Sequence, residues 1–233
     1  MTAAEQAPEQ SAADREPTQN WTASVRHRLA RIVPPGQWLP DRQPVYVSSW
    51  IYVFGVLTLA ALFVVIASGI ILTLGGVTWW HVSSLGHFVN SLHLWSVELF
   101  FAFMVIHLWG KFFMAAWRGK RAMTWITGVL AFVGSIGTAF TGYLSQTNFD
   151  AQWISTQAKD GLNSVGIGSL FNVLNPGQML LWHVALLPLV IGLFTLVHVI
   201  LVRRHGVVPP IDARSPHDDQ QSEQSPEELT PER

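Results

Sequence analysis

Three long runs of this chain contain no Asp, Glu, Lys or Arg: 43–97, 122–149 and 161–202, of 55, 28 and 42 residues. A membrane-spanning helix needs about 20 predominantly apolar residues. The first run holds one full span and the start of a second, because Gly75 and Gly76 break it. Four spans follow, at about 47–73, 87–112, 122–146 and 177–202. The first begins too deep in the chain, and is too long, to be a secretory signal. Only 12% of the residues are charged and 49% are hydrophobic. A soluble domain carries about 25% charged residues, so a freely soluble globule is excluded. Disorder of the whole chain is excluded by the same numbers. The expected fold class is all-α, a transmembrane four-helix bundle with disordered acidic ends.

The formal net charge of −1 conceals an uneven distribution. Residues 1–19 carry one base against four acids, net −3, and residues 209–233 two against seven, net −5. Residues 20–208 carry eleven bases against four acids, net +7, and form the expected membrane domain. Basic residues favour the cytoplasmic side of a bilayer. With both termini cytoplasmic, Lys111, Arg118, Lys120, Arg121, Arg203 and Arg204 all fall inside, and only Lys159 of fourteen bases falls outside. Trp79, Trp80 and Trp153 then sit at the outer interface, as an aromatic belt does. An integral, multi-pass protein of a bacterial plasma membrane is the expectation.

The two acidic ends are rich in Pro, Gln, Ser, Glu and Asp and read as disordered. Between the first end and the first span, Trp21, Val25, Leu29 and Ile32 recur at helical spacing among Arg26, His27, Arg28 and Arg31, and Pro34 and Pro35 follow. This pattern fits a short amphipathic helix on the lipid surface, or a plain basic stretch that sets topology. No internal repeat, phosphate-binding glycine loop or nucleic-acid motif is present. The chain has no cysteine. Disulfides, iron–sulfur clusters, thiolate metal sites and covalently attached haem are therefore excluded.

Four of the nine histidines lie inside apolar spans: His93 and His107 on the second, His183 and His198 on the fourth. Their separations of 14 and 15 residues are each close to four helical turns. Each pair therefore shares a helix face, its members roughly 21–22 Å apart along the axis. Both helices run from outside to inside, so His93 and His183 share an outer level, and His107 and His198 an inner one. Two imidazoles at each of two levels are what two six-coordinate haems require, with no open position for oxygen. The bland alternative is four buried histidines satisfied by their neighbours. Polar residues in spans usually mark function, and four matched in depth weigh against that alternative. Zinc fits less well, because two histidines leave a tetrahedral site incomplete.

Glycines repeat the spacing. Gly55 and Gly69 on the first span are 14 apart, as are Gly128 and Gly142 on the third. By topology Gly55 and Gly128 belong to the inner level, Gly69 and Gly142 to the outer. Each level is thus offered a bare patch by two helices, suited to the edge of a flat macrocycle. Close helix packing alone also favours glycine.

With these spacings, and with the strings Leu92-His93-Leu94-Trp95-Ser96, Thr124-Trp125-Ile126-Thr127-Gly128 and Thr141-Gly142-Tyr143, the chain resembles the N-terminal, four-helix half of cytochrome b from bc-type quinol oxidoreductases. The similarity spans about residues 20–208. The 14 and 15 combination resembles the split form, in which a separate subunit carries the remaining helices. The resemblance implies two bis-histidine haems b, one on His93 and His183 and one on His107 and His198. It implies electron transfer across the bilayer with quinone as substrate. It further implies that Arg121, Arg203, Arg204 and Lys111 meet propionates of the inner haem. A Rieske-type iron–sulfur protein, a c-type cytochrome and the complementary subunit are the implied partners, and the family's dimeric state leaves room for a homodimer. No catalytic acid or base is expected in this chain. A rival reading is a di-haem anchor that links a dehydrogenase to the quinone pool. A third is a non-redox membrane protein with buried histidines.

The departures are specific. Asn90 and Leu94 stand where the family commonly carries arginines around the first ligand, so the outer propionates lack their usual cation. Ser145 and Gln146 follow Gly142-Tyr143-Leu144 where the family has Pro-Trp at its quinol oxidation site. Glu98 lies five residues after His93 and nine before His107. It therefore points about 140–180° away from both ligands, toward a partner or a helix interface. The segment 147–176 is too polar to span and is expected as a structured outer loop.

Overall fold

The computed structural model describes residues 21–32 and 45–210, and the expected disordered ends lie outside these. The chain divides into two units, Met1–Gln43 and Pro44–Arg233. The first contributes one described element, α1 (Trp21–Ile32), a three-turn helix where the basic amphipathic pattern lies. Trp21, Val25 and Leu29 form an exposed apolar line along it, with Arg28 and Arg31 exposed beside them.

All regular secondary structure among the described residues of the second unit is helical. A 3-10 turn, Trp50–Tyr52, leads into α2 (Val53–Gly75). Gly76, at φ 78°, ends α2 in a conformation that favours glycine and turns the chain into α3 (Val77–Val82). Ser83 caps α4 (Ser84–Phe113) by accepting from the Gly86 amide. Next come α5 (Ala122–Leu144) and α6 (Phe149–Ser164). The last long helix is composite: α7 (Pro176–Leu181), a π-helical turn (Trp182–Leu186) and α8 (Leu187–His205).

Four helical stretches are long and apolar enough to cross a membrane: Trp50–Gly75, Ser84–Phe113, Gly119–Leu144 and Pro176–His205. Their outer surfaces carry exposed Phe63, Leu74, Trp95 and Leu189, the composition of a lipid-facing surface. α2 packs chiefly on α4, and α5 chiefly on α8. Ala61, Phe100 and Met104 form a dry cluster midway along the first pair, with Phe101, Phe103 and Phe132 against it. Several span hydroxyls donate within their own helices. Thr58 donates to the Phe54 carbonyl at 2.7 Å and Ser96 to that of Leu92 at 2.6 Å. This is the arrangement expected where no water competes.

The 147–176 segment corrects the loop expectation. It contains α6, whose N-terminus is capped by Asn148 accepting from the Ala151 amide at 2.8 Å. Ala151 and Ser155 are buried, and Ala158 and Leu162 pack against the cluster of Leu144, Val173 and Met179. The cap and the spacing of small or apolar residues along 151–162 were a helix signal in the sequence. Its low hydropathy excluded a span but did not exclude a helix.

Candidate functional site

The two helix pairs bring the four histidines to two levels. On α4, His93 and His107 are 14 residues apart on regular helix. On the last helix the spacing is 15, and the extra residue is absorbed by the π-helical turn that contains His183. There the Leu187 amide donates to the Trp182 carbonyl, five residues back. Pro188 stands just beyond and has no N–H to give the preceding turn, so the wide turn forms where a rung is already lost. The result is a 15-residue interval with the phase of 14. His93 and His183 meet edge to face, ring centres 6.1 Å apart and planes at 88°.

Each histidine lies against one of the four glycines. A side chain on Gly69 would touch His93 at 3.2 Å, one on Gly55 would touch His107 at 3.1 Å, and one on Gly128 would touch His198 at 3.0 Å. A methyl on Gly142 would overlap the His183 ring. The bare patches thus seat the imidazoles themselves, each across a helix pair: α2 for the rings of α4, α5 for those of the last helix.

The ring nitrogens repeat one pattern. His183 Nδ1 donates to the Thr138 carbonyl at 2.8 Å, His198 Nδ1 to that of Thr124 at 2.8 Å, and His93 Nδ1 to that of Val65 at 3.1 Å. In each case the acceptor is four residues before the facing glycine, one helical turn away. Hydroxyls adjoin two of these bonds: Ser68 Oγ lies 3.0 Å from His93 Nδ1, and Thr127 Oγ1 3.3 Å from His198 Nδ1. A carbonyl can only accept, so Nδ1 carries the proton and Nε2 keeps its lone pair. His107 breaks the pattern. The residue four before Gly55 is Ile51, which lies in the 3-10 turn before α2 begins. His107 Nδ1 is buried and has no hydrogen-bond partner among the described residues.

The sequence missed the dipeptide signal beneath this geometry. Three of the four glycines follow a hydroxyl residue, as Ser68-Gly69, Thr127-Gly128 and Thr141-Gly142, and the fourth follows Phe54. The basic residues expected near the second level are placed differently from one another. Arg121 donates to the carbonyls of His205, Gly206 and Val207 at 3.2–3.4 Å, so it closes the end of α8. Lys111 Nζ lies over the Tyr52 ring, 3.7 Å from its centre. Arg203 and Arg204 are exposed. Glu98 is exposed on α4 and does not line the cavity between the histidines of the first level.

A family model described as cytochrome b (N-terminal)/b6/petB matches residues 98–230. The chain belongs to this cytochrome b N-terminal family. The match takes in His107, His183 and His198 together with Gly128 and Gly142, while His93, Gly55 and Gly69 precede it. Among curated relatives, cytochrome b6 of Chlamydomonas reinhardtii is 28% identical over 54% of this chain and 64% of its own length. A menaquinol:cytochrome c reductase cytochrome b subunit of Geobacillus thermodenitrificans is 29% identical over 82% of this chain and 92% of its own. A chain of a hyperthermophilic respiratory Complex III aligns at a TM-score of 0.66 and 20% identity, over 84% of this chain and 59% of that one. The chain therefore spans less than two thirds of the b6 relative and of the solved chain. Membership of the family implies haem b and makes this an integral, multi-pass membrane protein.

Proposed function

We propose that this chain is the di-haem electron carrier of a bc-type quinol-oxidising complex. His93 and His183 would hold one haem b, and His107 and His198 the other. The observation that carries the reading is the fixed tautomer: three of four imidazoles give their Nδ1 proton to a carbonyl and keep Nε2 bare. A hydrogen bond at the far nitrogen is how ligating histidines are oriented and made more basic.

The residues present fit the group. Two imidazoles bound through Nε2 at about 2.0 Å to one metal, with about 1.2 Å from nitrogen to ring centre, would place their centres at most roughly 6.4 Å apart. The ring centres of His93 and His183 lie 6.1 Å apart. Among the described residues no cluster of three or more His, Asp or Glu side chains joins either pair. A metal held by two histidines alone must bring its other ligands with it, as a porphyrin iron does. Held by the two imidazoles of a level, such a group would supply one-electron transfer. The chain's part is to orient the rings, exclude water through the Phe100–Met104 cluster, and set the two levels apart across the bilayer.

Both termini are assigned to the cytoplasmic side, with His93 and His183 on the outer half. Quinone is the expected electron donor or acceptor. A Rieske-type protein, a c-type cytochrome and a subunit with further helices are the expected partners. A second copy of the chain is the expected dimer mate. Ser145 and Gln146, in place of Pro-Trp, favour the anchor reading for the outer surface, since that element is missing from this chain.

The test is haem stoichiometry and a reduced-minus-oxidised spectrum of the complex isolated through this chain. Two b-type haems per chain are expected, with His93→Ala and His107→Ala each removing one. A b-type band that survives both changes together would sink the assignment. Co-purification with a dehydrogenase and no Rieske protein would favour the anchor.

A further inference from the structure

The cavity between His93 and His183 is lined by no Asp, Glu, Lys or Arg. Four hydroxyls line it, and all are committed to their own helices. Thr73 donates to Gly69, Ser135 to Ala131, Thr138 to Gly134 and Ser145 to Thr141, at 2.7–3.0 Å. Both imidazoles spend Nδ1 on carbonyls. The remaining side-chain N–H donors among its lining residues are neutral and belong to Trp80, Asn90 and Gln146.

These three are held in a particular way. Asn90 lies one turn before His93 on α4, and Gln146 four residues after Gly142 at the end of α5. Their amides bond reciprocally, Asn90 Nδ2 to Gln146 Oε1 at 3.4 Å and Gln146 Nε2 to Asn90 Oδ1 at 3.3 Å. Each amide nitrogen keeps a second N–H. Gln146 is pinned further, because His81 Nε2 lies 3.1 Å from its carbonyl and Thr147 follows at φ 57°. Trp80 is buried, yet its Nε1 has no partner among the described residues. A buried donor without a partner is costly and marks a missing acceptor.

The geometry points to Trp80, Asn90 and Gln146 as a cation-free clamp for the carboxylates of the group held between His93 and His183. This rests on the reading that a haem, which carries two propionates, occupies that level. Neutral N–H donors hold a carboxylate without cancelling its charge. The uncancelled charge disfavours an added electron on the nearby iron, so the clamp positions the group while the lack of a cation leaves its potential lower than a charge-paired carboxylate would.

Redox titration of the b-type absorbance in membranes with the intact complex tests this. Asn90→Arg places a cation at the clamp and is expected to shift reduction of the His93–His183 haem at least tenfold in its favour, 59 mV for one electron. Trp80→Phe keeps the ring and removes the N–H, and is expected to move the same haem the opposite way. The His107–His198 haem stays within the error of wild type in both. Gln146→Arg offers the cation from the other helix should Asn90→Arg fail to assemble. Loaded variants with unchanged potentials would reduce the triad to a helix strut, and equal shifts at both haems would show a diffuse charge effect. Either result overturns the clamp and leaves the haem assignment intact. A wild-type spectrum without a band dependent on His93 and His183 removes both.

Discussion

Gly142 shows how much of the site is set by the absence of one carbon. Its facing ring, His183, occupies the space that a methyl would need. The ring cannot retreat without lengthening its 2.8 Å bond to the Thr138 carbonyl. Gly142→Ala is therefore expected to expel His183 from its seat, at about 1–3 kcal/mol for overpacking. The expected result is loss of one of two haems per chain, read as the haem-to-protein ratio. Gly137, on the same helix, has nothing within 4 Å of its would-be methyl, and Gly137→Ala should keep both. Equal spacing made the glycine and histidine levels legible in the sequence. The object each glycine faces was not, because spacing gives depth and phase but no identity for what lies across the helix pair. Arg121 illustrates the same limit. The family resemblance implied a propionate partner for it, and the spacing alone did not show the hydrogen bonds it makes to the carbonyls of His205, Gly206 and Val207.

At the scale of elements, the two histidine-bearing helices reach one geometry by different routes. α4 uses 14 regular residues, and the last helix uses 15 with a π-helical turn. A one-residue deletion therefore has different consequences in the two. Deleting Ala185, within the turn, gives a 14-residue interval that regular helix can carry, so both haems should remain. Deleting Ala102, between His93 and His107, swings one histidine about 100° around α4 and should cost a haem. Comparing the b-band amplitudes of the two deletions measures this directly. The wide turn was not legible, since a separation of 15 is also near four turns, and Pro188 alone does not say where the lost rung is absorbed. α6 was missed for a different reason, although its cap stood in the sequence. Hydropathy answers whether a helix can live in lipid, and α6 is built at the rim, on an Asn148 cap and a strip of small residues.

For the whole molecule, the distribution of charge is the feature that assigns a direction. The spans are fixed by their length and composition, but which end faces the cytoplasm rests on Lys and Arg placement. Lys159 lies in α6, on the side of the bundle where α5 ends, and Arg118 lies between α4 and α5 at the opposite end. The chain has no cysteine, so a single introduced thiol reports its own side without background. In intact cells a membrane-impermeant maleimide should label Lys159→Cys and leave Arg118→Cys untouched until the membrane is opened. The reverse result would place His93 and His183 on the inner half. Because α6 and the Asn90–Gln146 pair sit at the Lys159 end, the same experiment decides which aqueous side the cation-free cavity adjoins. It thereby decides whether an electron that passes from that cavity to the Lys111 and Arg204 end moves toward the cytoplasm or away from it.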